Sequence, residues 1–272
     1  MDNIAIFTMC KNEKHLFPVW YKYYSKYIPK NNIFVLDHQS TDNSIRHGNK
    51  IDNLRTKIKP MEMKKTLYNT KIVINEFKYD EKWRRMIIQN FRDQLYNIGY
   101  KVVIFTDTDE IICPNPLKYK DLKEYLIKFL KGNQEFVNCI GHEVYAYKDE
   151  STIKWKEKIL QQRRIWYKNW MYNKPLIAKA SDKFEWSLGF HKRTDNKYNG
   201  DKDLILIHLK RIDYISALKK FIENNKVKFN PEQDKHIGFY YSNIDLFDEN
   251  WNEYKTSNKK LEQIPDEYTN VV

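Results

Sequence analysis

The sequence predicts an α/β protein in which a mostly parallel sheet is flanked by helices. Three observations carry that expectation. Apolar runs of strand length recur at Ile4 to Met9, Ile33 to Leu36, Lys71 to Ile74 and Val102 to Phe105. Stretches with helical spacing lie between them, and strands alternating with helices build parallel sheets. The strand ends run into polar segments rich in Asp, Asn, Ser and Thr, which cap helices and, in open α/β sheets, face the crevice beyond the carboxyl ends of the strands.

After the first strand, Pro18 stands near a helix start, with Leu16, Val19, Trp20, Tyr23, Tyr24 and Tyr27 at helical spacing. The second strand leads into Asp37-His38-Gln39-Ser40-Thr41-Asp42-Asn43, a turn full of N-capping residues. From Trp83 to Ile98 one helical face carries Trp83, Met86, Ile87, Phe91, Leu95 and Ile98, and Gly99 stops it. Beyond Cys113-Pro114-Asn115-Pro116 a helix is expected from about Leu117 to Lys131, stopped by Gly132. The second half is less regular. It offers a strand at Leu204 to His208 and a helix with Asp213 as N-cap that buries Tyr214, Ala217, Leu218, Phe221 and Ile222. From about Asn224 the chain is polar, aromatic and weakly periodic. The expected organisation is one domain over 1–210 and a helical or irregular C-terminal extension over 211–272 packed on it.

Composition narrows the function classes. Among 272 residues, 41% are hydrophobic, 31% charged and only 7 are Gly, which excludes disordered, fibrous and collagenous chains. No apolar run approaches the roughly 18 residues of a membrane-spanning helix. The apolar N-terminal stretch has no basic leader and is broken by Cys10, Lys11, Asn12 and Glu13, so no signal peptide is expected. Cys10, Cys113 and Cys139 are widely spaced and form no CxxC pair, which argues against a disulfide framework or a cysteine zinc site. A reducing, cytoplasmic location follows as the expectation. Forty-eight Lys and Arg against 36 Asp and Glu give a net charge of +12, which favours anionic partners: nucleotides, nucleic acid, or lipid headgroups met in peripheral membrane contact. Heavy use of Lys, Asn, Ile and Tyr is also the mark of an AT-rich coding genome, which raises lysine content for reasons unrelated to function.

Three polar segments carry the chemistry. Asp107-Thr108-Asp109-Glu110 follows the strand Val102 to Thr106 directly. In extended backbone, residues i and i+2 face one side, so Asp107 and Asp109 are expected to share a point while Thr108 and Glu110 face away. Two carboxylates suit Mg2+ or Mn2+, which keep coordination positions for water and phosphate. An arbitrary Asp-x-Asp is most often a solvated turn; its place behind an apolar strand shifts the balance toward a site. Thr8 to Glu13 closes the first strand, where polar side chains can bond a base or ribose and helix amides favour anions; for Asn12 or Glu13 helix capping is the plainer role. In the third segment Asp42 reads as a helix cap, and Asp37 as an acceptor for a ribose hydroxyl or base proton.

Taken together, Lys11-Asn12-Glu13, the aromatic Trp20 to Tyr24, Asp37 with Ser40 and Asp42 as Asp-x-x-Ser-x-Asp, and Asp107 with Asp109 resemble the family 2 glycosyltransferases and their relatives with the Rossmann-like GT-A fold. The resemblance covers about residues 3 to 115. It implies that Thr8, Asn12, Glu13, Asp37 and Asp107 line a nucleotide pocket, and that Asp107 and Asp109 hold Mn2+ or Mg2+ on a diphosphate. A late histidine would complete the metal shell, His208 ahead of His191. The implied reaction displaces a nucleoside diphosphate, UDP foremost, from a sugar's anomeric carbon by a hydroxyl of a glycan, protein or lipid. An inverting enzyme also needs a carboxylate base. Glu185 and Asp182 are the acids near Trp186, although the Glu-Asp dipeptide of many relatives is absent there. Lys192, Arg193 and Lys210 are cations available to a leaving diphosphate. The stretch Lys154 to Lys174 interleaves Trp155, Trp166, Tyr167, Trp170 and Tyr172 with basic residues, which suits single-stranded nucleic acid, a membrane interface or sugar rings stacked on indole, and equally an amphipathic helix whose aromatics are core; within the resemblance it would form the acceptor side.

Rival readings are weaker. A nucleotidyltransferase would need a Gly-rich phosphate loop near the first strand, and Thr8 to Glu13 has no glycine. A nucleic-acid-binding protein would use the +12 charge and the aromatic-basic stretch, but leaves two carboxylates to repel phosphate. An inactive GT-A scaffold is the third alternative.

Overall fold

The computed structural model describes residues 2–38, 40–42, 44–45, 80–180, 185–226, 245–249, 251 and 260–272. The strand expected at Lys71 to Ile74 lies outside them, as does Asp182.

Strand β1 (Ile4–Cys10) is followed by helix α1 (Leu16–Tyr24), strand β2 (Ile33–Asp37), helix α2 (Glu81–Asn97) and strand β3 (Val102–Phe105). β1 lies between β2 and β3, parallel to both. It is apolar on both faces because both are covered. Ile4 and Ile6 pack in one cluster with Phe17, Trp20, Tyr23 and Tyr24 of α1. Ala5 and Phe7 pack in another with Ile87, Ile88, Phe91 and Leu95 of α2. The Asp80 carboxylate caps α2 by accepting from the Trp83 amide, and Gly99 beyond its end has φ 107°, a conformation glycine takes without a Cβ clash.

Next come β4 (Glu110–Pro114), helix α3 (Leu122–Lys131), β5 (Phe136–Tyr145), the single turn α4 (Ile159–Gln162), β6 (Ile165–Lys168), β7 (Ile177–Lys179), β8 (Gly200–Arg211), helix α5 (Tyr214–Asn225) and β9 (Glu262–Gln263). Here the expectation of a mostly parallel sheet is corrected. β7 runs antiparallel to β3 and β5, β6 antiparallel to β5 and β9, and β4 antiparallel to β8; among these later strands β5 and β8 alone are parallel. The physical reason is the connection between β5 and β6. A parallel neighbour is usually reached through a crossover helix lying on the sheet, and the 146–164 connection holds only the single turn α4, so the chain turns back beside β5. The architecture is a mixed sheet flanked by helices.

Other boundaries shift too. α3 starts at Leu122 rather than Leu117, because the Asp121 carboxylate caps it on the Glu124 amide while the Leu117 amide is held in a turn by the Asn115 side chain. Asp213 caps α5, taking the Ser216 amide at 2.7 Å. The final residues enter the sheet through β9, and Tyr268 packs edge-on against Trp166. Among the described residues no helix is long and apolar enough to cross a membrane.

Candidate active site

The strand order β2-β1-β3 creates a reversal. From β1 the chain steps to β2 on one side, then returns past β1 to β3 on the other. Ligands of open α/β sheets bind beyond the carboxyl ends of strands at such a reversal. Two of the three polar segments, Thr8 to Glu13 after β1 and Asp107 to Glu110 after β3, lie on its two sides.

Asp107 to Glu110 is a tight turn, not extended backbone. The Glu110 amide donates to the Asp107 carbonyl at 3.1 Å, and the Asp107 amide donates to Glu110 Oε2 at 3.0 Å. The turn nevertheless keeps Asp107 and Asp109 partly open to solvent while Thr108 and Glu110 are buried. Helix α1 clamps both of its ends. Trp20 Nε1 donates to Thr106 Oγ1 at 2.7 Å, just before the turn. The Tyr24 hydroxyl accepts from the Ile112 amide and donates to the Glu110 carbonyl, and the Tyr23 hydroxyl donates to the Ile112 carbonyl, just after it. The aromatic pattern of α1 is therefore both core and support for the acidic turn.

Strand register assembles the rest. Glu110 on β4, His208 on β8 and Glu143 on β5 are cross-strand partners in one row. His208 lies with Nδ1 3.1 Å from Glu143 Oε1 and Nε2 3.4 Å from Asp109 Oδ2. Burial alone would lower its pKa, but the charges of Asp109 and Glu143 outweigh burial and push it up to about 9. Glu143, which burial would raise, is brought down to about 2 by His208, Arg211 and the Tyr167 hydroxyl. Asp109 is held well below the usual carboxylate range, where His208, Lys210 and Lys174 overcome its burial. Tyr172 stacks on the imidazole with ring centroids 3.9 Å apart.

Lys174 is buried and bonds Glu110 Oε1 at 2.5 Å, with Asp107 Oδ2 at 3.9 Å. Burial disfavours its charge, yet Glu110 and Asp107 hold its pKa above the ordinary lysine value. Arg84 on α2 pairs with Asp107 and, at 3.3 Å, with Glu81, which takes the Gly189 amide at 2.9 Å. Four carboxylates, Asp107, Asp109, Glu110 and Glu143, are thus met by Arg84, Lys174, Arg211 and the His208 imidazolium.

Of the other expected site residues, Asn12 and Asp37 belong to one cluster that ties the β1 and β2 exits together. The Asn12 amide donates to Ser40 Oγ, the Thr41 amide to Asn12 Oδ1 and the Ser40 amide to Asp37 Oδ1. Asn12 adopts φ 55°, a left-handed conformation that Asn tolerates better than most residues. Asp42 binds the Lys14 amide and Ser44, so it fastens two loops. Glu13 pairs with Lys220, and Thr8 is buried within β1. His191 has its Nδ1 2.6 Å from the Met171 carbonyl, and burial lowers its pKa against the opposing charge of Asp107. Glu185 is exposed, its carbonyl accepting from the Thr194 amide. Arg193 is engaged with Asp195 and stacked over Phe136. Burial pushes the Cys10 and Cys113 thiols up to about 12, which leaves them poor nucleophiles.

Sequence reasoning missed Glu143, Lys174 and Arg84 as parts of this site, and expected Tyr172 on the acceptor side rather than against His208. Glu143 had a signal, a carboxylate among the apolar residues of β5, and so had Lys174 ahead of Pro175-Leu176-Ile177. Arg84 had none, since it reads as an ordinary polar position on α2. No protein-family model matches the chain, and no curated protein matches it in sequence.

Proposed function

We propose that this chain is a metal-dependent glycosyltransferase of the GT-A type, moving a sugar from a nucleoside diphosphate sugar, UDP-linked foremost, to a hydroxyl of a glycan, protein or lipid. The observation that carries this reading is the meeting of Asp109 with His208 beside Asp107, at the crevice where the parallel strand order reverses. The donor set fits a hard divalent cation of the Mn2+ or Mg2+ class. Asp107 and Asp109 offer carboxylate oxygens, and His208 would offer Nε2 once a cation displaces its proton, with the other nitrogen fixed on Glu143, the arrangement by which a carboxylate orients a metal-bound imidazole. Among the described residues no three acidic, His or Cys groups form a ready cage, so diphosphate and water would supply the remaining ligands. A bound cation would supply Lewis-acid neutralisation of the charge developing on the departing diphosphate.

The chain's own residues do the rest. Lys174 and Arg84 hold Asp107 in place, and Tyr172 covers His208 from bulk water. The Asn12–Asp37 cluster lies at the adjoining strand exits, where base and ribose would bind. The acceptor's proton is assigned to a carboxylate on the segment entering Trp186, with Glu185 and Asp182 as candidates. The test is UDP release from a panel of UDP-sugars with Mn2+ or with EDTA, for wild type, Asp109→Asn and His208→Ala. Release is expected to require the metal and to fall about 100-fold or more in Asp109→Asn. Undiminished release by a folded Asp109→Asn protein would overturn the reading.

A further inference from the structure

A cavity of about 400 Å3 adjoins the His208–Tyr172 stack, walled by Glu143, Lys168, Asn169, Trp170, Lys210 and Arg211 among others. We propose that this cavity takes the acceptor, and that the acceptor is an anionic sugar: its ring lies on Trp170 and its carboxylate or phosphate sits among Lys168, Lys210 and Arg211. The assignment rests on the glycosyltransferase reading and adds to it the class of acceptor.

Three observations support it. First, Trp170 is 81% exposed and sits on a hydrogen-bonded backbone turn. The Asn169 side chain accepts from the Met171 amide, and the Tyr172 amide donates to the Asn169 carbonyl. This turn packs directly on the β5 backbone, since a Cβ at Gly141 would lie 2.5 Å from the Asn169 carbonyl oxygen and the Tyr172 Cβ. An exposed indole carried on such a turn offers an apolar face the size of a sugar ring.

Second, the cavity is positive. The one carboxylate among its described lining residues, Glu143, is already met by His208, the Tyr167 hydroxyl at 2.7 Å, the Asn169 side-chain Nδ2 at 3.2 Å and Arg211 Nε at 3.5 Å. Lys168 ends β6 and Lys210 lies near the end of β8, the two strands that flank β5, so lysines reach the cavity from both sides. A neutral acceptor needs no such charge, whereas carboxylate and phosphate both gain from charge-assisted hydrogen bonds. Third, the cavity shares Glu143 and Tyr172 with the site, so a sugar held there stands against the two residues that hold and cover His208.

The test is ligand-observed NMR titration of the full chain with glucuronate, glucose 6-phosphate, glucose and inorganic phosphate, repeated on Lys168→Glu and Trp170→Ala. Near-UV circular dichroism verifies that each variant is folded. The anionic sugars should bind at least about tenfold tighter than glucose and than phosphate. Lys168→Glu should erase the preference over glucose, and Trp170→Ala the preference over phosphate. Whether glucuronate or glucose 6-phosphate binds tighter identifies the source of the charge. Equal binding of all four probes, phosphate binding as tightly as glucose 6-phosphate, or preferences that survive both substitutions would each overturn the proposal. Binding of UDP with Mn2+ to wild type is measured in parallel; its absence would overturn the donor reading while leaving the cavity result readable.

Discussion

Glu110 and Lys174 face each other with side chains only 1% and 4% exposed. A buried pair of this kind gains little over an apolar substitute, yet removing one partner strands a charge and costs about 3–5 kcal/mol. Lys174→Met should therefore lose roughly that much stability in urea unfolding, and Lys174→Met with Glu110→Leu should regain most of it. If the double variant recovers nothing, the lysine acts mainly through Asp107. The Thr106 hydroxyl, which takes the Trp20 indole proton, gives a second handle. Thr106→Val should cost about 1–3 kcal/mol by leaving the buried indole N–H unpaired, and Thr106→Ser much less. Asp107, Asp109 and His208 were legible in the sequence because each stands at or near the end of an apolar strand. Glu143 and Lys174 were not, because distant strands bring them into place and their neighbours in sequence give no hint of the carboxylates and imidazole they meet.

α1 does more than cover the sheet. Tyr24 holds the first residues of β4 through two hydrogen bonds, so it sets where the acidic turn ends. Tyr24→Phe should weaken binding of Mn2+ with UDP measurably while the far-ultraviolet circular dichroism stays native; unchanged affinity would show that the turn holds its shape without the clamp. At this scale the first half of the fold was readable, because β1, β2 and β3 are uniformly apolar and α2 is cleanly periodic between Asp80 and Gly99. β5 was not, since Asn138, Gly141, His142 and Glu143 interrupt its apolar pattern. Each is tolerated for a tertiary reason: Asn138 bonds the Asn173 carbonyl, Gly141 admits the Trp170 turn, His142 stacks on Trp166 and Glu143 holds His208. The start of β8 was hidden in the same way by Asp201, Lys202 and Asp203, where Asp201 and Asp203 bond Tyr125 and Lys118.

Over the whole molecule the +12 charge attracts any polyanion. That attraction works through released counterions, so binding to single-stranded DNA should fall steeply between about 50 and 200 mM salt. Binding of UDP with Mn2+ draws on specific ligands and should decline far less; a parallel decline would mean that charge alone attracts the nucleotide. On the proposed function, the crevice beyond β1 and β3 binds a nucleoside diphosphate through a cation on Asp107, Asp109 and His208. The most direct test is thermal unfolding of wild type and Asp109→Asn with UDP and Mn2+, separately and together. A ligand at about 100 times its dissociation constant adds roughly 2.7 kcal/mol, enough to raise the midpoint by several degrees. The account predicts that rise in wild type only when UDP and Mn2+ are both present, and its loss in Asp109→Asn. An equal rise with UDP alone, or one that persists in Asp109→Asn, would contradict it.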